Sequence, residues 1–404
     1  MGAAFSSGSD AHPPRGAADA GEEPELIITG LGTEWPSQIV TSDDFRQYLL
    51  RHHPADAAWV QTLLKINARS GIASRALIGF NNNPLWYDPR NQSTPPTAKQ
   101  VSSEFHRHGV RLAARAVRAA LTDSHLPASA ITHTVAVTVT NAGAPGYDQA
   151  VFRDVGISPG AERVLLSGIG CAGGLAALRV GSSLARAATL QRKPARVLVL
   201  ACEVCSIHLA AELHATAKKV GLSGGEDISI GPALFSDGAA ALVLCNALAL
   251  TGEMPRRFAV VDYRTAITPE THEAMSYRTT EYGFQLTLAR EVPALAVASL
   301  RGLFGELIQA NGMASAGPGE LEWAVHPGGL TVLRGAQLAL GLSDEAIRAS
   351  REVYESRGNS SSVAVLAVLD RLRGWEGRSL RKEVVAVSFG PGLTTEMVLL
   401  RRLV

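Results

Sequence analysis

Cys171 lies in Ser167-Gly168-Ile169-Gly170-Cys171-Ala172-Gly173-Gly174, between the apolar run Val164-Leu165-Leu166 and a stretch with helical spacing. A thiol at a strand-to-helix junction faces the unpaired N–H groups and positive end of the helix. Both favour thiolate and lower a reference pKa of about 8.5. The flanking glycines remove side-chain bulk, so an acyl group can approach the sulfur closely. Taken alone, the residue also reads as an inert cysteine packed beside a sharp turn. Two later segments weigh against that. Ala324-Val325-His326-Pro327-Gly328-Gly329 sets an imidazole at a turn, and Arg357-Gly358-Asn359-Ser360-Ser361-Ser362 sets an amide at another. Each alone is ordinary turn chemistry. Together with the cysteine they suit covalent acyl chemistry, in which the sulfur carries the acyl group and N–H donors hold oxygens that become negative. A cysteine hydrolase uses the same residue types, so the three residues alone leave that class open.

A fourth segment, Val387-Ser388-Phe389-Gly390-Pro391-Gly392-Leu393-Thr394-Thr395-Glu396, completes an ordered series. Cys, His-Pro-Gly-Gly, Gly-Asn-x-Ser-Ser and Phe-Gly-Pro-Gly-Leu-Thr in this order resemble the type III polyketide synthases, the chalcone and stilbene synthase-like family, over about Leu26 to Leu403. The papain-type signature around the cysteine is missing, which sets the hydrolase reading aside. The resemblance implies an α/β, thiolase-like, five-layered αβαβα fold of two similar halves with the active site where they meet. It implies an acyltransferase in which Cys171 holds a starter from acyl-CoA, while His326 and Asn359 stabilise the enolate formed when malonyl-CoA loses carbon dioxide. His326 would also pair with the Cys171 thiolate. A homodimer is implied, with CoA thioesters as substrates, no cofactor and no metal.

Other positions carry over by motif. Phe235 matches a phenylalanine at the mouth of the family's CoA tunnel, Glu203 a buried acid linked to ring closure, Ser361 a small residue beside the cysteine, and Gly392 a glycine of the last loop. Lys65 and Arg69 are four apart on a predicted helix, so they share a face that either meets CoA phosphates or is simply a solvated basic face. The departures bear on substrate. Leu286 stands where plant enzymes have a second gatekeeping phenylalanine, His208 and Tyr277 where they have small residues in the cyclisation cavity, and Ala144 where a bulky residue reaches the neighbouring subunit. Ser388 replaces the first glycine of the loop. These changes resemble the microbial, especially fungal, alkylpyrone- and alkylresorcinol-forming branch and imply a fatty acyl starter. An aromatic-starter synthase, a single-round ketoacyl synthase and a non-catalytic scaffold of the same fold are the alternatives.

The chain has 404 residues, 46% hydrophobic content and a net charge of +1, enough for a large core and too little charge to suggest nucleic acid. No apolar stretch is read as approaching the roughly 20 residues that span a bilayer, so no stable membrane insertion is expected. Four cysteines without a secretory leader point to a reducing, cytoplasmic setting with free thiols. Cys202 and Cys205 form a C-x-x-C pair, but no second pair follows at zinc-ribbon spacing. Residues 1–24 are rich in Gly, Ala, Ser and Pro and read as a mobile tail. Met1-Gly2-Ala3-Ala4-Phe5-Ser6 fits the N-myristoylation pattern with no polybasic second signal after it. From Leu26 onward strands and helices alternate. Residues 25–248 are expected to form an N-terminal half bearing the cysteine, and residues 249–404 a C-terminal half bearing His326 and Asn359.

Overall fold

The computed structural model describes residues 26–80, 94–223, 228–289, 291–375 and 381–403. The expected tail 1–24 and its Gly2 pattern lie outside the described residues. The strands are β1 (Leu26–Glu34), β2 (Ile39–Thr41), β3 (Ser74–Ala76), β4 (His133–Val137), β5 (Glu162–Leu166), β6 (Arg196–Val204) and β7 (Asp237–Asn246). They continue with β8 (Phe258–Ile267), β9 (Met275–Thr280), β10 (Gly283–Leu288), β11 (Glu322–Val325), β12 (Glu383–Gly390) and β13 (Thr394–Arg402). One sheet has the order β11-β12-β13-β8-β1-β7-β6-β4-β5, while β2 pairs with β3 and β9 with β10.

The pairing pattern occurs twice. β4 runs parallel to β6, β6 antiparallel to β7 and β7 antiparallel to β1. In the other wing β11 runs parallel to β12, β12 antiparallel to β13 and β13 antiparallel to β8. β1 and β8 join the wings through Ile27↔Ala259 and Ile28↔Phe258.

Side-chain alternation then fixes the layers. On β6, Val197, Val199 and Ala201 enter the central core, which also holds Leu175 and Leu178 of helix Gly173–Leu190 and Val365 and Leu369 of helix Ser362–Arg373. Leu198, Leu200 and Cys202 point the other way, toward Leu112, Ala116 and Ala120 of helix Val110–Asp123. On β12, Val384 and Ala386 face the same central core, and Val385 and Val387 face the helices Leu300–Ala310 and Leu330–Leu340. The order is helix, sheet, helix pair, sheet, helix: the five-layered, thiolase-like arrangement.

One expectation is corrected. Val292–Ala310, 19 residues with a mean hydropathy of 1.2, is long and apolar enough to cross a membrane. In this fold it is two helices, Val292–Ala298 and Leu300–Ala310. Ala296, Leu300, Phe304 and Leu307 pack with Trp323 and Leu399, so its apolar side is spent on the core.

Candidate active site

The two central helices start at the same place. Cys171 sits in the 3-10 turn Gly170–Ala172 that leads into Gly173–Leu190, and Asn359, Ser360 and Ser361 lead into Ser362–Arg373. Gly174 lets the helix starts touch: a Cβ there would lie 2.3 Å from the Ser362 carbonyl oxygen. The Cys171 Sγ donates to Ser361 Oγ at 3.5 Å, and the Ser361 N–H donates to Asn359 Oδ1 at 2.8 Å. The Asn359 amide Nδ2 donates to the Gly328 carbonyl at 3.1 Å. The Gly328 N–H returns to the His326 carbonyl at 2.8 Å, and a Cβ on Gly328 would lie 3.1 Å from His326 Nε2. His326 follows β11 directly, held by its N–H to the Val387 carbonyl at 2.8 Å. The fold thus brings together three residues spread over 189 positions, from Cys171 to Asn359. Asn359 keeps one N–H, and the buried His326 Nδ1 has no partner among the described residues. Those are the unspent polar groups an oxyanion needs.

Burial sets the charges. It pushes the Cys171 thiol up to about 12, although the bond to Ser361 works downward, and it pushes the His326 imidazole down to about 3. Burial thus works against the thiolate expected from the helix start and against an imidazolium, and favours the neutral thiol and the neutral imidazole. Nucleophilic attack requires the thiol proton to leave as the acyl donor arrives.

Cys171 and Ser361 face a largely apolar cleft with about 600 Å³ of empty space, part of it open to solvent. Phe235 and Leu286 line it as well, with Leu77, Val139, Leu209 and Tyr277. Phe235 is fixed from both sides, because Asn359 N–H donates to the Leu234 carbonyl and Ser236 N–H to the Asn359 carbonyl. Leu286 pairs with Tyr277 across the β9–β10 ladder. Glu203 is wholly buried and accepts from Val139 N–H, Thr140 N–H and the hydroxyls of Thr138, Thr140 and Ser362. Burial still pushes its carboxyl up to about 7 against those bonds.

Four expected residues sit differently. His208 is not part of the cleft lining: its Nε2 donates to the Thr140 carbonyl at 2.8 Å and its Nδ1 accepts from Phe284 N–H at 3.2 Å. Both ring nitrogens are spent fastening the β9–β10 hairpin, and burial lowers its pKa to about 4. Gly392 supplies a turn at φ 73°, and the neighbouring Pro391 meets the cleft instead. Lys65 and Arg69 are exposed on helix Ala58–Arg69, and neither lines the cleft. Cys202 donates to the Gly109 carbonyl at 3.4 Å in the core while Cys205 lines the cleft, and all four cysteines are free.

Sequence reasoning missed Arg75, Cys205 and Glu212, which also line the cleft. Arg75 is 4% exposed and donates to the carbonyls of Pro232 and Phe235. Glu212 follows Leu209 by three residues, the helical spacing of a shared face, which is the signal that marks it.

Comparison with known proteins agrees with this architecture. Residues 16–247 match the family "Chalcone and stilbene synthases, N-terminal domain" and residues 260–404 its C-terminal domain. The type III polyketide synthase pspB of Penicillium soppii is 38% identical, over 94% of this chain and 96% of its own length. The acylalkylpyrone synthase csyB of Aspergillus oryzae is 30% identical, over 93% of this chain and 94% of its own. A solved structure of CsyB with CoA-SH superposes with a TM-score of 0.88 at 30% identity, covering 94% of this chain and all of that one. A type III pentaketide synthase from Neurospora crassa reaches a TM-score of 0.88 at 36% identity, with the same coverage. With both family domains matched and the fold shared, the chain belongs to the chalcone and stilbene synthase family and is an acyltransferase of the type III polyketide synthase kind.

Proposed function

We propose that the protein loads a fatty acyl group from acyl-CoA onto Cys171 and extends it repeatedly by decarboxylative condensation with malonyl-CoA. The product is then closed to a pyrone or a resorcinol-type ring. The observation that carries this reading is the cleft, in which the sulfur opens onto apolar walls and Leu286 stands at a lining position. His326 and Asn359 are assigned as N–H donors to the enolate oxygen, and the neutral imidazole as the base that takes the thiol proton. Exposed Lys65 and Arg69 are assigned to CoA phosphates. CoA-SH bound to CsyB and the acylalkylpyrone name of its curated relative support substrate and product class. We further assign a division into halves at 25–248 and 249–404, a homodimer in which the exposed loop around Ala144 and Pro145 meets the partner, and a reducing cytoplasmic setting.

The deciding experiment incubates the protein and its Cys171→Ala variant with a panel of acyl-CoAs and labelled malonyl-CoA, then identifies products and protein adducts by mass. Fatty starters should dominate, with no adduct on the variant. A preference for aromatic starters restores the chalcone-type alternative. Light scattering showing a fully active monomer refutes the dimer.

A further inference from the structure

The polar groups of the cleft are almost all committed. Ser206 gives its hydroxyl to Asp237 at 2.6 Å, and Thr140 gives its hydroxyl to Glu203 at 2.8 Å. Ser361 receives the Cys171 thiol, and Arg75 is held by two backbone carbonyls. Arg75 keeps its Nη2 without a partner among the described residues, and Glu212 is the acid left open. Its side chain is 4% exposed, lines the cleft, and has a single hydrogen-bonding partner among the described residues, Ser229, whose hydroxyl donates to Oε2 at 2.7 Å. No cation among the described residues pairs with it, and burial pushes the carboxyl up to about 7, so part of the population carries an O–H at neutral pH. Tyr277 is a second such group: it lines the same cleft and its hydroxyl makes no hydrogen bond among the described residues. Burial first, then Glu212, Cys205, Glu203 and Cys171, raise its phenol, which places Tyr277 within electrostatic reach of both Glu212 and the nucleophile.

A saturated alkyl chain gains nothing from one buried and one half-buried donor, since each loses water without replacement. A chain carrying a carbonyl at every second carbon offers acceptors at regular intervals. We propose that Glu212, with Tyr277 beside it, is a specificity-determining residue of the cleft that donates a hydrogen bond to a keto oxygen of the growing chain and so retains it for further extension. This rests on the elongation reading above. Extension adds acceptors and thereby strengthens the hold, whereas a chain that loses the bond cyclises and leaves early.

The test uses the full chain with a fatty acyl-CoA starter and labelled malonyl-CoA. Tyr277→Phe removes one hydroxyl with almost no change of shape, Glu212→Leu removes the acid, and Glu212→Gln keeps a donor. The readouts are starter loading on Cys171 by intact mass, carbon dioxide release, and the ratio of longer to shorter ring products. Loading should stay at the wild-type level, while the ratio falls by about three- to tenfold in Tyr277→Phe and Glu212→Leu, as expected for one lost hydrogen bond. Glu212→Gln should restore most of it. An unchanged ratio in Tyr277→Phe, an unchanged ratio in a folded Glu212→Leu, or a ratio in Glu212→Gln as low as that of Glu212→Leu overturns the proposal. Failure of the wild type to load a starter or release carbon dioxide overturns the elongation reading instead.

Discussion

Gly174→Ala tests whether the two central helix starts truly meet at the nucleophile. The added Cβ would lie 2.3 Å from the Ser362 carbonyl oxygen, whereas such contacts essentially never fall below 3.0 Å. Backbone oxygen cannot swing aside as a side chain can, so the helices Gly173–Leu190 and Ser362–Arg373 must part by about 0.7 Å or more. Overfilling of this kind costs about 1–3 kcal/mol, and the upper end applies because both partners are main chain. The displacement also separates Cys171 from Ser361 and Asn359. A misplacement near 1 Å can cost about a hundredfold in rate, so carbon dioxide release from malonyl-CoA should fall far more than the folded fraction does. Gly302→Ala is the control, on an exposed helical position with nothing within 4 Å of the new Cβ, and should be neutral or stabilising by up to about 1 kcal/mol. Urea unfolding followed by circular dichroism reads stability, and labelled malonyl-CoA reads chemistry. Wild-type stability and rate in Gly174→Ala would refute this account of how the site is assembled.

Asn359→Ala should still load a starter yet release carbon dioxide about 10²- to 10³-fold more slowly, the usual effect of removing one oxyanion donor. Radiometric decarboxylation beside intact-protein mass separates the two steps. Leu286→Phe sets a phenyl ring into the cleft wall, so kcat/KM for long acyl-CoAs should drop up to about a hundredfold while short ones are spared. Equal losses for both lengths would defeat the fatty-acyl reading. Glu212 links stability to pH. Its carboxyl rises from 4.5 to about 7 on folding, so the folded chain keeps a proton that the unfolded chain releases. The stabilisation is complete below about pH 4.5 and is lost as pH rises through 7, an amount on the order of 3 kcal/mol. Relative to Glu212→Gln, the wild type should therefore lose stability between pH 5 and 8 in parallel denaturant titrations.

Much of this was legible because the chemistry sits in short segments. Cys171 and His326 each occupy a glycine-rich turn at the end of an apolar run, and Asn359 a Gly-Asn turn after the charged helix Arg348–Arg357, so residue type and local shape are adjacent in sequence. The apolar runs at Val197 and Val384 also proved to be strands buried on both faces. What local reading could not supply was burial. The helix start at Cys171 favours a thiolate, and the desolvation that opposes it is visible only in the tertiary structure. His208 shows the same limit: its substitution for a small residue is visible in sequence, whereas its bonds to Thr140 and, in a hairpin 76 residues away, to Phe284 are not. Glu212 and Arg75 were overlooked because charged residues on a helix and a short strand ordinarily face solvent.

The narrow junction between β1 and β8 makes the chain divisible. Just two residue pairs stitch the wings there, while the reacting groups are donated from opposite sides of that seam. Fragments divided in the connection after Asn246 would each carry a bare strand edge that seeks its complement. Turnover would then return only when both pieces re-dock in register. The protein is thus a natural starting point for a split reporter, in which release of carbon dioxide announces that two tethered partners have met.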